Sequence, residues 1–152
     1  MGNRAVITTS CSPDPQNDFH SLGLYLHWDG DINHVQAFLT YCNLHGYRAP
    51  DVDCYGWTML ACVVGNYFHD GLSCGVDTCV CLDCNNGNNG TYIIHGWSIA
   101  SRFYAPQGEP ETADEDAIRE ILLDINSCMP PSMQLGRSEL LTRYDHLLDP
   151  VF

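Results

Sequence analysis

An apolar strand that runs through an acidic turn straight into an amphipathic helix constrains this chain more than any other feature. The stretch is Leu22 to Gly46, LGLYLHWDGDINHVQAFLTYCNLHG. Leu22, Leu24 and Leu26 alternate with Gly23, Tyr25 and His27, which predicts a strand with one aliphatic face and one aromatic or polar face. Asp29-Gly30-Asp31 breaks that strand: Gly30 tolerates the turn, while Asp29 or Asp31 can cap the next helix and complement its dipole. Ile32, Val35, Leu39 and Cys42 then recur at helical spacing, Phe38 widens the stripe, and Gly46 is placed to close the helix.

The other elements arrange themselves around this unit. Asn3–Thr9 is short and β-branched and reads as a first strand, paired antiparallel with Ser21–Trp28; Ser10–His20 between them, rich in Pro, Asn and Asp, reads as a polar, mobile connection. A second helix follows Pro50, capped by Asp51 or Asp53. Trp57, Leu60, Ala61, Val64 and Phe68 form one face and Tyr55, Met59, Val63 and Tyr67 another, so this helix, apolar nearly all round, is expected to be the buried one. Gly56 and Gly65 within it predict close packing against a neighbour. Leu72–Leu82, Thr91–Ile94 and Trp97–Tyr104 read as three strands of an antiparallel meander, with the turn signal NNGNNG at Asn85–Gly90. After a Pro/Gly linker, Thr112–Glu115 has a capping-box pattern before a helix striped by Ile118, Ile121, Leu122 and Ile125. Pro130-Pro131 ends that helix, and a last one is expected over Ser138–Leu148. The expected fold is α+β: an antiparallel or mixed sheet of about five strands, two central helices on one face, and an acidic C-terminal helix. Residues 1–105 make the α+β core, and 106–152 a helical extension packed on the same domain.

The 152 residues hold 19 Asp plus Glu against six cations, all of them Arg, for a net charge of −13. Such a balance repels nucleic acid and anionic lipid and favours basic partners. No stretch approaches the roughly 20 apolar residues of a membrane span. The N-terminus lacks a secretory pattern, and Val6 stands where a myristoylation signal needs Ser or Thr. A soluble protein of a bacterial cytoplasm is expected. Nine cysteines without a secretory signal predict reduced thiols, several of them, such as Cys42 and Cys62, serving as small hydrophobes on helix faces.

Four groups of residues could carry chemistry. Cys79, Cys81 and Cys84, with Cys74 before them and His95 across the expected hairpin, could hold zinc, Cys79 and Cys81 facing one side of a strand; paired Cys-x-x-Cys knuckles are absent. Asp83, Asn85 and Asn88 miss the pattern of a calcium loop. His27 at the strand end, with Asp29 or Asp31, is the one enzyme-like grouping, without a nucleophile elbow, a phosphate loop or HExxH around it. Asp116, Glu120 and Asp124 stand at i, i+4 and i+8 opposite the apolar stripe of their helix, with Glu111, Asp114 and Glu115 near its start; Arg119, four residues beyond Glu115, is the one nearby cation. At about 6 Å per step the stripe can face a groove built for phosphates. It is sparser than a DNA strand, with a phosphate about every 3.4 Å, so a mimic needs further acids, for which Asp29, Asp31, Asp51 and Asp53 are available.

The combination NRAVITT, GLYLHWDGD, YGWTMLACVVGNYF, GLSCGVDT and NGTYIIHGW resembles a group of small acidic proteins of bacterial phages and mobile elements. The likeness covers roughly Asn3 to Arg102, leaving out the acidic C-terminal part, and brings no catalytic residues with it. It implies a context in which anti-defence factors occur, anti-CRISPR proteins among them. Together these readings predict a non-enzymatic inhibitor that binds a basic nucleic-acid-binding surface of a host protein, a CRISPR effector complex foremost, without touching nucleic acid or membrane itself. A zinc-stabilised interaction module and a small enzyme built on His27 are the alternatives.

Overall fold

The structure, a computed structural model, describes residues 2–69, 73–110 and 112–149. Five strands, β1 (Ala5–Thr8), β2 (Leu22–Leu26), β3 (Cys74–Thr78), β4 (Thr91–His95) and β5 (Ser98–Phe103), form one mixed sheet in the order β3-β2-β1-β4-β5. Helices α1 (Ile32–Leu44) and α2 (Tyr55–Tyr67) cover one face; α3 (Glu115–Cys128) packs on both, and α4 (Arg137–Leu148) on α3 and α1. The fold is α+β, as expected from the sequence.

β1 is the central strand, which is why its short β-branched run is buried throughout. Ala5 and Ile7 join Leu24, Leu26, Tyr92 and Ile94 in the core under the helices. Val6 and Thr8 face the other way, beneath the Cys79–Gly90 segment: the Thr8 hydroxyl lies 2.8 Å from Cys79 Sγ, and Thr91 Oγ1 donates to the Cys84 carbonyl at 3.0 Å. The Ser10–His20 connection is tied down as well. It makes a 3-10 turn at Pro15–Asn17, and Gln16 donates to the Leu82 carbonyl at 2.7 Å.

The expected three-stranded meander does not form. β3 pairs antiparallel with β2, whereas β4 pairs parallel with β1 and antiparallel with β5. The glycine-rich segment is a crossing rather than a hairpin turn, and it is held by its own amides: Asn86 accepts from the backbone of Asn88 and Gly90 and donates to the Gly90 carbonyl. Asn89 bonds the carbonyl of Arg4, delivering the chain to β1.

Burial of the two central helices also reverses expectation. α1 buries nine of its 13 residues, because the sheet lies on one side of it and α3 and α4 on the other. α2 buries five of 13 and leaves Tyr55 62% exposed; Cys62 is exposed too, so of the two helix thiols Cys42 alone serves as a small core hydrophobe. Full burial of a Phe38-sized side chain contributes about 1.5–3 kcal/mol, so α1 carries more of the core energy than α2.

The α1 entrance explains its sequence. Asp31 caps it, accepting from the His34 N–H. The left-handed residue of the turn is Asp29 (φ +52°), not Gly30. Gly30 is required for space: a Cβ there would stand 2.7 Å from both Ala5 Cβ and the Asn3 carbonyl oxygen. At the exit Gly46 and Tyr47 donate to the Asn43 and Cys42 carbonyls, the closure expected of a helix ended by glycine. The C-terminal helices join the same core through Ile118, Leu122, Ile125, Leu140 and Tyr144. Tyr41 of α1 donates to Asn126 Oδ1 at 2.7 Å, and Asn126 holds both polar atoms of Leu135, which fixes the α3–α4 link over α1.

Candidate cleft and acidic face

Where β2 turns into α1, an open cleft of about 510 Å³ lies between three elements. The turn supplies Trp28 and Asp29, the end of α2 supplies Tyr67, Phe68 and His69, and the last turn of α3 supplies Asp124, Ser127 and Cys128. Trp28 is 43% exposed, although Trp57 and Trp97 are buried. Asp29 and His69 both hold left-handed backbone, at φ +52° and +60°. A third non-glycine residue of this kind, Tyr104, lies elsewhere. Cys128 Sγ is 3.6 Å from His69 Nε2.

His34 stands behind the cleft. Its Nδ1 lies 2.8 and 3.0 Å from the two Asp31 oxygens, and its Nε2 3.7 Å from Asp29 Oδ1. Burial opposes the imidazolium, but the Asp31 hydrogen bond and the charges of Asp31, Asp29 and Asp124 outweigh it and hold the pKa above its ordinary value. Burial likewise raises Asp31, and the hydrogen bonds and charge of His34 overcome that and bring it below the usual range. Tyr67 is pushed up to about 12, first by burial and then by Asp29 and Asp124, so it remains a neutral phenol. Asp29 and Asp124, 95 positions apart in sequence, therefore act on the same two side chains.

α3 carries the acidic stripe as expected. Asp116, Glu120 and Asp124 are exposed, and Asp114 caps the helix through the Asp116 N–H, two positions beyond Thr112, the cap of the expected capping box. Glu115 is exposed in the first turn, while Glu111 lies outside the described residues. Arg119 makes its ion pair away from this face: it turns to α4, 2.8 Å from Asp145 and over the Tyr144 ring, and meets Asp116 only through charge at a distance. Three further arginines are committed to Asp83, Asp53 and Glu139. Among the described residues none pairs with Asp116, Glu120, Asp124 or Asp29.

Asp51 and Asp53 do not join this face. They sit at the start of α2, whose 13 residues put them about 20 Å from its cleft end. Asp51 accepts from the Gly96 N–H and pairs with His95 at 3.3 Å; Asp53 pairs with Arg48 at 3.2 Å and accepts from the Tyr55 N–H. α2 has Cys54 at its cap position, with no side-chain cap bond.

The candidate zinc ligands, four cysteines and His95, do not gather. β3 ends at Thr78, and Cys79–Cys81 forms a 3-10 turn that buries Cys79 and exposes Cys81 instead of facing both to one side. Burial pushes the Cys79 thiol up to about 11 and raises Cys84, while Cys74 pairs with Leu26 within the sheet and His95 is 89% exposed beside Asp51. Among the described residues the single group of three metal-ligating side chains within 4.8 Å of one another is Asp29, Asp31 and His34. It lies at the positive end of the α1 dipole, with Asp31 already engaged by His34, a poor setting for a cation. The imidazole that meets the two aspartates is thus His34; His27 bonds the Tyr25 hydroxyl at 2.9 Å. Its i, i+3 spacing from Asp31 was the one sequence signal for this contact. Nothing local announced Tyr67, His69 or Cys128.

No protein-family model, curated protein or solved structure matches the chain. No helix among the described residues is long and apolar enough to cross a membrane.

Proposed function

We propose that this is a non-enzymatic binding protein that docks its α3 face on a basic surface made for nucleic-acid phosphates, and so inhibits a host nucleic-acid-binding machine, in the anti-CRISPR manner. The observation that supports it is the separation of charge: four of the six arginines pair with acids elsewhere, while Asp116, Glu120 and Asp124 form an exposed row that meets no arginine ion pair among the described residues and is continued by Asp29. Lined up at about 6 Å per step on a rigid helix, carboxylates lose little freedom when Arg and Lys of a partner close on them. The partner is a basic protein, and the target class is a CRISPR effector complex. Binding replaces phosphate–cation contacts and falls steeply with salt.

The test is plating of a CRISPR-targeted phage on cells that express the protein, with affinity for the purified effector measured at low and high salt. The expected outcome is restored plating, lost on reversing charge at Asp116, Glu120 and Asp124. Affinity that is flat in salt, or indifferent to that reversal, rejects the reading.

A further inference from the structure

We infer that the cleft between the β2–α1 turn, α2 and α3 receives one arginine side chain of the basic partner, its guanidinium between the Asp29 and Asp124 carboxylates and against the Trp28 and Tyr67 rings. This rests on the reading that the partner is a basic protein, and it assigns the docking an anchor residue.

Charge and shape carry the assignment. Two carboxylates reach the cleft from different elements, and no arginine of the chain meets either of them among the described residues. Aromatic surface lies beside them: Trp28 stays 43% exposed, and Tyr67 holds its ring edge-on to the buried Phe38, with centroids 5.3 Å apart, so its position is set before any partner arrives. A cation over aromatic faces and between carboxylates gains from both, and a guanidinium suits this better than an ammonium because its planar fork bonds carboxylates in pairs and stacks on rings. The volume of about 510 Å³ is in the range of side-chain and small-ligand pockets.

Other occupants fit less well. Among the described residues the cleft holds no three metal-ligating atoms within reach of one another apart from the His34 group behind it. An anionic ligand would meet Asp29 and Asp124 directly.

The test titrates the full chain with acetyl-Gly-Arg-Gly-amide, with the lysine peptide, and with the citrulline peptide, which keeps the shape of arginine without its charge. Tryptophan fluorescence reads the binding, since Trp57 and Trp97 are buried and Trp28 alone of the three is exposed; Trp28→Phe identifies the signal. Saturable binding of the arginine peptide is expected, with the citrulline peptide weaker on the order of tenfold and lysine between them. Asp29→Asn with Asp124→Asn removes the preference for arginine, and Asp51→Asn with Asp53→Asn leaves it intact. Equal affinity for arginine and citrulline, or no saturation by the arginine peptide, overturns the inference; that comparison needs only the unmutated protein, so a variant that fails to fold leaves the decision standing. Asp116→Lys with Glu120→Lys lies outside the cleft and tests the parent reading alone. Should it abolish effector binding while arginine and citrulline bind alike, only the cleft assignment fails.

Discussion

Asp29-Gly30-Asp31 and Asp51-Val52-Asp53 present the same arrangement of acids, each set just before one of the two central helices. The first pair faces a histidine, a cleft and a third carboxylate from α3, and meets no arginine among the described residues. The second is absorbed: Arg48 takes Asp53, while His95 and the Gly96 amide take Asp51. What separates them is which cations and amides the fold brings near. An acid tied to its own chain has little left to offer a partner; Asp31 too is held, by His34 and Asn3, so the carboxylates left for the proposed docking are Asp29 and the α3 row.

The sharpest way to break this contrast is charge reversal at both places. Asp116→Lys with Glu120→Lys and Asp124→Lys should weaken effector binding on the order of a hundredfold or more, about 3 kcal/mol, while Asp51→Lys with Asp53→Lys changes it by less than about threefold. Isothermal titration at fixed salt measures both, and equal losses would erase the distinction.

Both junctions rest on glycine, and here they should behave alike. A Cβ at Gly56 would stand 2.4 Å from the Pro50 nitrogen, and one at Gly30 would stand 2.7 Å from the Asn3 carbonyl oxygen. Gly56→Ala and Gly30→Ala should each cost about 1–3 kcal/mol in urea unfolding, since backbone cannot yield as a side-chain tip does.

The caps separate the junctions again. Asp31→Ala removes a bond to the helix N–H and the His34 contact, and should cost about 1 kcal/mol. Asp53→Ala loses a bond to Tyr55 N–H and an exposed pair with Arg48, about half as much. Matched unfolding curves for the two variants would contradict the difference in capping.

The smallest effect is one of pH. His34 is raised in the fold, so its contribution is complete below about pH 6.5 and is lost as pH rises through its folded value. Asp31 is lowered, so its contribution is present above about pH 3.9 and is lost as pH falls through its folded value. The pair stabilises most between those limits. The melting temperature of the wild type should decline from pH 6 to pH 8 more than that of His34→Gln; parallel profiles would show that the pair contributes nothing.

Much of the fold was legible locally. The alternation of Leu22, Leu24 and Leu26, the stripe from Ile32 to Cys42 and the amphipathic α3 each state their element and, Leu22 at the strand's exposed start aside, the face it buries, because period and burial are coupled within a few residues. The acidic row was legible for the same reason: four-residue spacing on one helix needs no partner to define it. By itself the sequence determined most of the elements, a cap at Asp29 or Asp31 and another at Gly46 for α1, the excess of acid and the stripe on α3. Only the tertiary structure decided that NNGNNG crosses the sheet to β1, that α1 and not α2 is the enclosed helix, that Arg119 turns away to Asp145, and that Asp29 meets Asp124 across a cleft. Each of these depends on surfaces from distant parts of the chain competing for the same neighbour, and pairing between distant strands and helices leaves no period in the sequence to read.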